Sequence, residues 1–196
     1  MEPEVLDKIP SRRAYSFESQ LFQTLLETSK KIYGYLSQAY FIDIGTVEKY
    51  IAANHVVLNG ITGITIPFSA VRKGIMMRGR NNVSRMSSIE GQILMGPDCK
   101  VESDTTITGP SVLGEGCRIE SGARLDGVVL WDRVQVKRDA VLRNCVIASD
   151  AVIGERCVVL DNCAIGSRVF LAADNRLASG LRVWPGHSLA PGTISF

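Results

Sequence analysis

From Met95 to Leu171 an aliphatic residue returns at nearly every sixth position, and no other feature of the chain restricts its fold as sharply. The anchors are Met95, Val101, Ile107, Leu113, Ile119 and Leu125; a five-residue step leads to Leu130, Val136 and Leu142, and a second leads to Ile147, Ile153, Val159, Ile165 and Leu171. Four places after most anchors stands a small or β-branched residue: Cys99, Thr105, Ser111, Cys117, Ala123, Val129, Val134, Ala140, Val146, Ala151, Cys157, Cys163 and Val169. A period of six fits neither a 3.6-residue helix nor a long alternating strand. Hexapeptide repeats instead predict a parallel β-helix, in which three hexads make one triangular turn of about eighteen residues. The anchors then fill the prism and the small residues sit inside beside tight bends. Gly114, Gly154 and Gly166, each directly after an anchor, suit places where a Cβ would clash. The short steps predict coils tightened at a corner. With weaker anchors at Val83 and Ile89 before the run and Leu177, Val183 and Leu189 after it, the frame predicts about four to six turns over 83–196.

Residues 1–60 have a different texture. Ser16 followed by Phe17, Leu21, Phe22, Leu25 and Leu26 predicts a capped helix ending near Ser29. Short strands are expected over Ile32 to Tyr35 and Tyr40 to Ile44, and Thr46 is placed to cap a helix over Val47 to Leu58 with Tyr50, Ile51 and Leu58 inward. This is an α/β fragment with too few strands to build a covered sheet. Glycines and a proline over 61–82 mark a connector, and Asn82-Val83-Ser84, though a glycosylation sequon, is without consequence in a cytosolic chain. After Leu171 the frame persists at Leu177, Val183 and Leu189, but its small positions hold Asn175, Leu181, His187 and Thr193, so the coil is expected to be ending there, with the tail around Trp184 covering its last rung, because open prism ends and strand edges invite association.

The remaining composition excludes more than it suggests. No apolar run reaches the roughly 18 residues of a membrane span, and MEPEVLDKIP lacks a signal peptide's apolar core. A cytoplasmic protein with no membrane partner is expected. Cys99, Cys117, Cys157 and Cys163 occupy the small interior position and Cys145 lies beside it, so all five cysteines are expected as reduced packing residues. Between Lys49 and Ile89 there is no acid, while Lys49, Arg72, Lys73, Arg78, Arg80 and Arg85 are present. No aromatics interleave with the charges from Arg72 to Arg85, and the stretch is expected to be a solvated connector rather than a nucleic-acid surface.

EPEVLDKIP, YSFESQLFQTLLE and YGYLSQAYFIDIGTVEKYIAANHVVLNG together resemble the closing part of the nucleotidyltransferase domain of sugar-nucleotide pyrophosphorylases. Within that group the chain looks most like mannose-1-phosphate guanylyltransferases, which continue into a left-handed β-helix and often carry a VWP element, matched here by Val183-Trp184-Pro185. The resemblance implies a reaction of a nucleoside triphosphate with a sugar 1-phosphate, releasing pyrophosphate, with Mg2+ neutralising the phosphates. It places one of the family's two metal-holding carboxylates at Asp43, where the end of a strand meets a glycine turn and a helix; the other reading of Asp43 is a helix cap. The family's GxGTRLxPLT-type loop is absent from these 196 residues, so the chain alone is expected to be inactive. The implied organisation is 1–60 as the end of an α/β nucleotidyltransferase domain, 61–82 as connector and 83–196 as left-handed β-helix with its cap.

Two rival readings share the coil. A hexapeptide acyltransferase needs a histidine base between subunits, and only His55, on the second helix, and His187, in the cap, are available; a β-helix carbonic anhydrase would need three. A non-catalytic module would assemble a homo-oligomer through its prism faces, with Trp131, one place after an anchor, as a contact residue.

Overall fold

The computed structural model describes residues 2–72 and 74–195, without the side chains of Ser69 and Arg72. Lys73 of the acid-free stretch therefore lies outside the described residues. The chain divides into two compact units, residues 1–39 and 40–196.

In the first unit a tight turn over Pro3–Lys8 precedes a wide π turn, Phe17–Leu21, that runs into helix α1, Phe22–Glu27. Ser16 caps it as the sequence predicts. Its Oγ accepts from the Ser19 amide at 3.2 Å, and its own N–H donates to Gln20 Oε1 at 2.8 Å. Leu21 and Leu25, one helical turn apart, are buried, whereas Phe17, Phe22 and Leu26 stay exposed. The strands expected over 32–35 and 40–44 do not form. Between Lys31 and Ile44 the one amide hydrogen bond among the described residues is Ala39 N–H to Ser37 Oγ, 3.1 Å. A strand exists only when a neighbour completes its ladder, and none is supplied there.

The second unit is a left-handed parallel β-helix with one helix, α2 (Val47–Leu58), laid on it. Its three sheets have eight, six and seven strands among the described residues, and every pairing except the first hairpin is parallel. Each strand is two to four residues long, and those inside the stack meet their equivalents in the coils above and below: Thr106, Arg124 and Val141 are register partners, as are Val112, Val129 and Val146. The first parallel rung is Ile75–Met77, paired with Ile93–Met95. The stack thus includes residues from the expected connector, because Ile75 and Met77 already point into the prism.

Alternation along the short strands explains the two interior positions. Small residue and following anchor are i and i+2, so both side chains face inward and the residue between faces out. The buried core runs from Ile75 to Leu177, with the aliphatic anchors Met95 to Leu171 among its members. The tightened corners shift two assignments. Val128 and Cys145, not Val129 and Val146, occupy the small interior position, each fully buried. The residue missing from each short hexad has been lost from the corner, at Asp126-Gly127 and Arg143-Asn144, and not from the strand.

A second regularity shapes the corners. The residue just before the small interior position adopts positive φ, at Asp98, Asp104, Gly116, Gly122, Gly127, Arg133, Asp139, Asn144, Asp150, Arg156, Arg168 and Asp174. Asp, Asn and Gly tolerate this left-handed conformation best. Gly114 and Gly154 serve differently: a Cβ on Gly114 would lie 2.7 Å from the Trp131 carbonyl carbon, and one on Gly154 2.5 Å from Leu171 O, so the coils approach too closely for any side chain.

Asn175 takes the small interior position of the last full coil and is completely buried. Its Nδ2 donates to Ala172 O and Ala190 O, both 2.9 Å, and its Oδ1 accepts from the Ile194 amide at 2.9 Å. This amide ties the tail beneath the prism, and Leu181, Val183, Leu189 and Ile194 pack on the core there. Trp184, expected to share in covering the end, is instead 75% exposed, since its position after an anchor turns it outward.

Candidate functional site

Asp43 lies in the link that leads into α2, at the margin of the β-helix. Gly45 N–H donates to Asp43 O at 3.1 Å, turning the chain so that Thr46 reaches the cap position. Thr46 Oγ1 accepts from the Lys49 amide at 3.3 Å. The helix cap is therefore Thr46, and Asp43 is left with an exposed carboxylate free of that task. Glu48 in the first turn is held below the usual carboxylate range by its own backbone amide and the Thr46 hydroxyl, with Arg182 adding a smaller attraction.

Three contacts fix α2 to the first sheet. Ile51 packs with Val129 and Val146, and Val47, Tyr50 and Val112 border that cluster. This explains why two outward-facing valines are buried. Trp131 Nε1 donates to Tyr50 Oη at 3.2 Å, and the His55 ring Nε2 lies 3.2 Å from Gly127 O. His55 is thus a docking residue at one of the tightened corners. Beside the start of α2 a hollow of about 330 Å3 is lined by Ile44, Gly45, Thr46, Tyr50, Trp131 and Arg182.

The other predicted residues lie apart. His187 is exposed in the closing coil, its Nδ1 3.1 Å from Trp184 O. All five cysteines are free and buried; Cys99, Cys117 and Cys157 thiols donate to backbone carbonyls at 3.0–3.1 Å. Burial raises the pKa of Cys145, Cys157 and Cys163, keeping them as neutral thiols. Arg78, Arg80 and Arg85 are exposed along the first coils. Among the described residues no three His, Cys, Asp or Glu side chains gather as a metal site, and no helix is long and apolar enough to cross a membrane. An exposed hard oxygen at Asp43 fits one ligand of a magnesium ion, which takes one or two carboxylates and completes its shell with water and phosphate oxygens.

The hexad core, the left-handed corners and the close-packed glycines define a hexapeptide-repeat β-helix protein. The family description for the EIF2B subunit epsilon LbH domain matches residues 72–177, and the chain belongs to this left-handed β-helix domain family. The chain is 33% identical over 199 residues to the mannose-1-phosphate guanylyltransferase of Mycobacterium tuberculosis, a match covering 100% of this chain and 49% of the relative. It is also 33% identical over 104 residues to the UTP–glucose-1-phosphate uridylyltransferase of Synechocystis sp., covering 52% of this chain and 26% of the relative. The chain thus spans at most about half the length of these relatives. Among solved structures, the acetyltransferase domain of PglB from Neisseria gonorrhoeae is similar at 18% identity, with 91% and 82% of the two chains covered and a TM-score of 0.38.

Proposed function

We propose that this chain is the C-terminal portion of a cytoplasmic sugar-1-phosphate nucleotidyltransferase that joins GTP to mannose 1-phosphate and releases pyrophosphate. The observation that carries the reading is the continuity of the match: one relative aligns along the whole chain, from the residues around Asp43 through the last coil. The seating of α2 on the first sheet supports it, since the helix that follows the Asp43 segment is held on the stack.

In that chemistry the metal, when bound, offsets the charge of the phosphates and the transferred phosphorus is attacked in line. Asp43 supplies one oxygen ligand. Gly45 and Thr46 set the chain path by which the carboxylate leaves the helix end, and the Tyr50–Trp131 and His55–Gly127 contacts hold that helix. The glycine-rich triphosphate loop is absent from the 196 residues, so nucleotidyl transfer requires the half of the relative that this chain does not span. The β-helix contributes the scaffold and a surface for homo-oligomer formation.

The test is pyrophosphate release with Mg2+, GTP and mannose 1-phosphate, by the purified chain and by the chain co-expressed with the unspanned half of the Mycobacterium tuberculosis relative. Release is expected only from the pair, and Asp43→Asn is expected to abolish it. Turnover by the chain alone would overturn the divided site, and a paired activity indifferent to Asp43→Asn would remove the metal assignment. Equal rates with UTP and glucose 1-phosphate would overturn the substrate choice.

A further inference from the structure

On the surface of the stack four ion pairs join opposite charges one coil apart. Lys137 meets Glu120, Arg133 meets Asp150, Arg143 meets Asp161 and Arg156 meets Asp174, at separations between 2.7 and 3.2 Å. The partners are 17 or 18 residues apart in each case, which is one coil. Lys100 and Arg118, by contrast, are like charges that stand as register partners in adjacent parallel strands. Like charges directly opposed across a ladder repel. Lys100 is balanced by Glu102 at 2.7 Å. Arg118 is flanked on its other side by Gln135 and makes no ion pair or side-chain hydrogen bond among the described residues.

Arg80 adds to this unbalanced charge. Its carbonyl accepts from the Asp98 amide at 2.7 Å, and the adjacent Asn81 is locked by the Cys99 amide at 2.9 Å and the Arg78 carbonyl at 3.1 Å. Arg80, Asn82, Asp98, Lys100 and Arg118 line one notch of about 330 Å3, where Asp98 is the lining carboxylate and Glu102 engages the Lys100 ammonium. Arg80 and Asn81 also border a neighbouring hollow of about 640 Å3 whose walls include Phe68, Val71 and Met77. Guanidinium groups suit phosphate oxygens, and an aromatic face suits a planar base.

We infer that the first coils of the β-helix form a nucleotide-binding site, with the phosphates held by Arg80, Lys100 and Arg118 and the base placed over Phe68. The site uses nothing around Asp43 and stands independently of the catalytic reading.

Calorimetric titration of the full chain with ATP, and with inorganic pyrophosphate as a phosphate-only probe, tests it. ATP is expected to bind with a Kd below about 1 mM and more tightly than pyrophosphate. Arg118→Ala, and Arg118→Gln as a second variant, should weaken both ligands about tenfold. Phe68→Ala should weaken ATP about tenfold and leave pyrophosphate unchanged, while Asp43→Asn changes neither. Absence of binding by both probes, or binding that survives both Arg118 variants with unaltered thermal stability, would overturn the site. Equal affinity for ATP and pyrophosphate would overturn its assignment to nucleotides.

Discussion

Glycines in this chain answer to two different demands, and a substitution separates them. Gly114 has an ordinary φ but no room: an added Cβ would press on the Trp131 carbonyl carbon and the Asp132 amide nitrogen, both rigid backbone. Gly114→Ala is expected to cost about 1–3 kcal/mol of stability in chemical denaturation, the range for overpacking. Gly116 has room, its added Cβ meeting only the Arg133 side chain at 3.4 Å, but a φ of +66°. Asn144 already holds this corner conformation elsewhere in the stack, so Gly116→Asn should leave the denaturation midpoint almost unchanged. The first demand is visible in sequence as a glycine directly after an anchor. The second is hard to see because its position carries aspartate, asparagine, glycine and arginine by turns, and only the shared backbone angle unites them. Asn175 shows the same limit. Its place in the hexad frame is readable, but the three hydrogen bonds that make a buried amide favourable depend on a tail that returns beneath the prism.

At the scale of elements, the caps at Ser16 and Thr46 and the extent of α2 are legible from local chemistry, whereas the docking of α2 is not. Outward positions of the first sheet carry Val112, Val129 and Val146, and a hexad frame that permits either of two phases at a short step assigns the last two to the core. Ile51→Ala should cost about 2–5 kcal/mol by emptying the contact with Val129 and Val146, and should alter Trp131 fluorescence by loosening its bond to Tyr50. The inter-coil ion pairs make a prediction with a sign. Hydrogen bonds from Arg133 hold Asp150 below the usual carboxylate range, and those from Arg156 do the same for Asp174. A carboxylate depressed in the folded state adds stability above its unfolded pKa of about 3.9 and loses it as pH falls through the folded value. The melting temperature should therefore drop as pH is lowered below about 4, and Asp150→Asn with Asp174→Asn should flatten that drop. An unaltered pH profile would show that these exposed pairs are fully screened.

For the whole molecule, the contrast is between a stack that completes itself and a segment that does not. Every inner coil of the β-helix finds its hydrogen bonds in the coils on either side, which is why a period read from sequence predicts it so well. Residues 31–44 have the apolar, β-branched and aromatic composition of strands, yet Tyr33, Tyr35, Leu36 and Phe41 are at least 83% exposed. Sequence pattern records what a segment would do beside a neighbour, and it is silent on whether that neighbour is present. If the chain functions with the half its relatives have in addition, these residues gain sheet partners there and their backbone groups enter a ladder. Hydrogen exchange distinguishes the two conditions. In the purified chain the amides of 31–44 should exchange at close to the unstructured rate, while those at Ile147, Ile153 and Ile165 in the middle coils are retained longest. Co-expression with the complementary half should slow the 31–44 amides and leave the coil amides as they were. Exchange that stays fast in an active pair would mean that the segment acts as a linker and that α2, held by Val129, Val146 and Trp131, carries the connection between the halves.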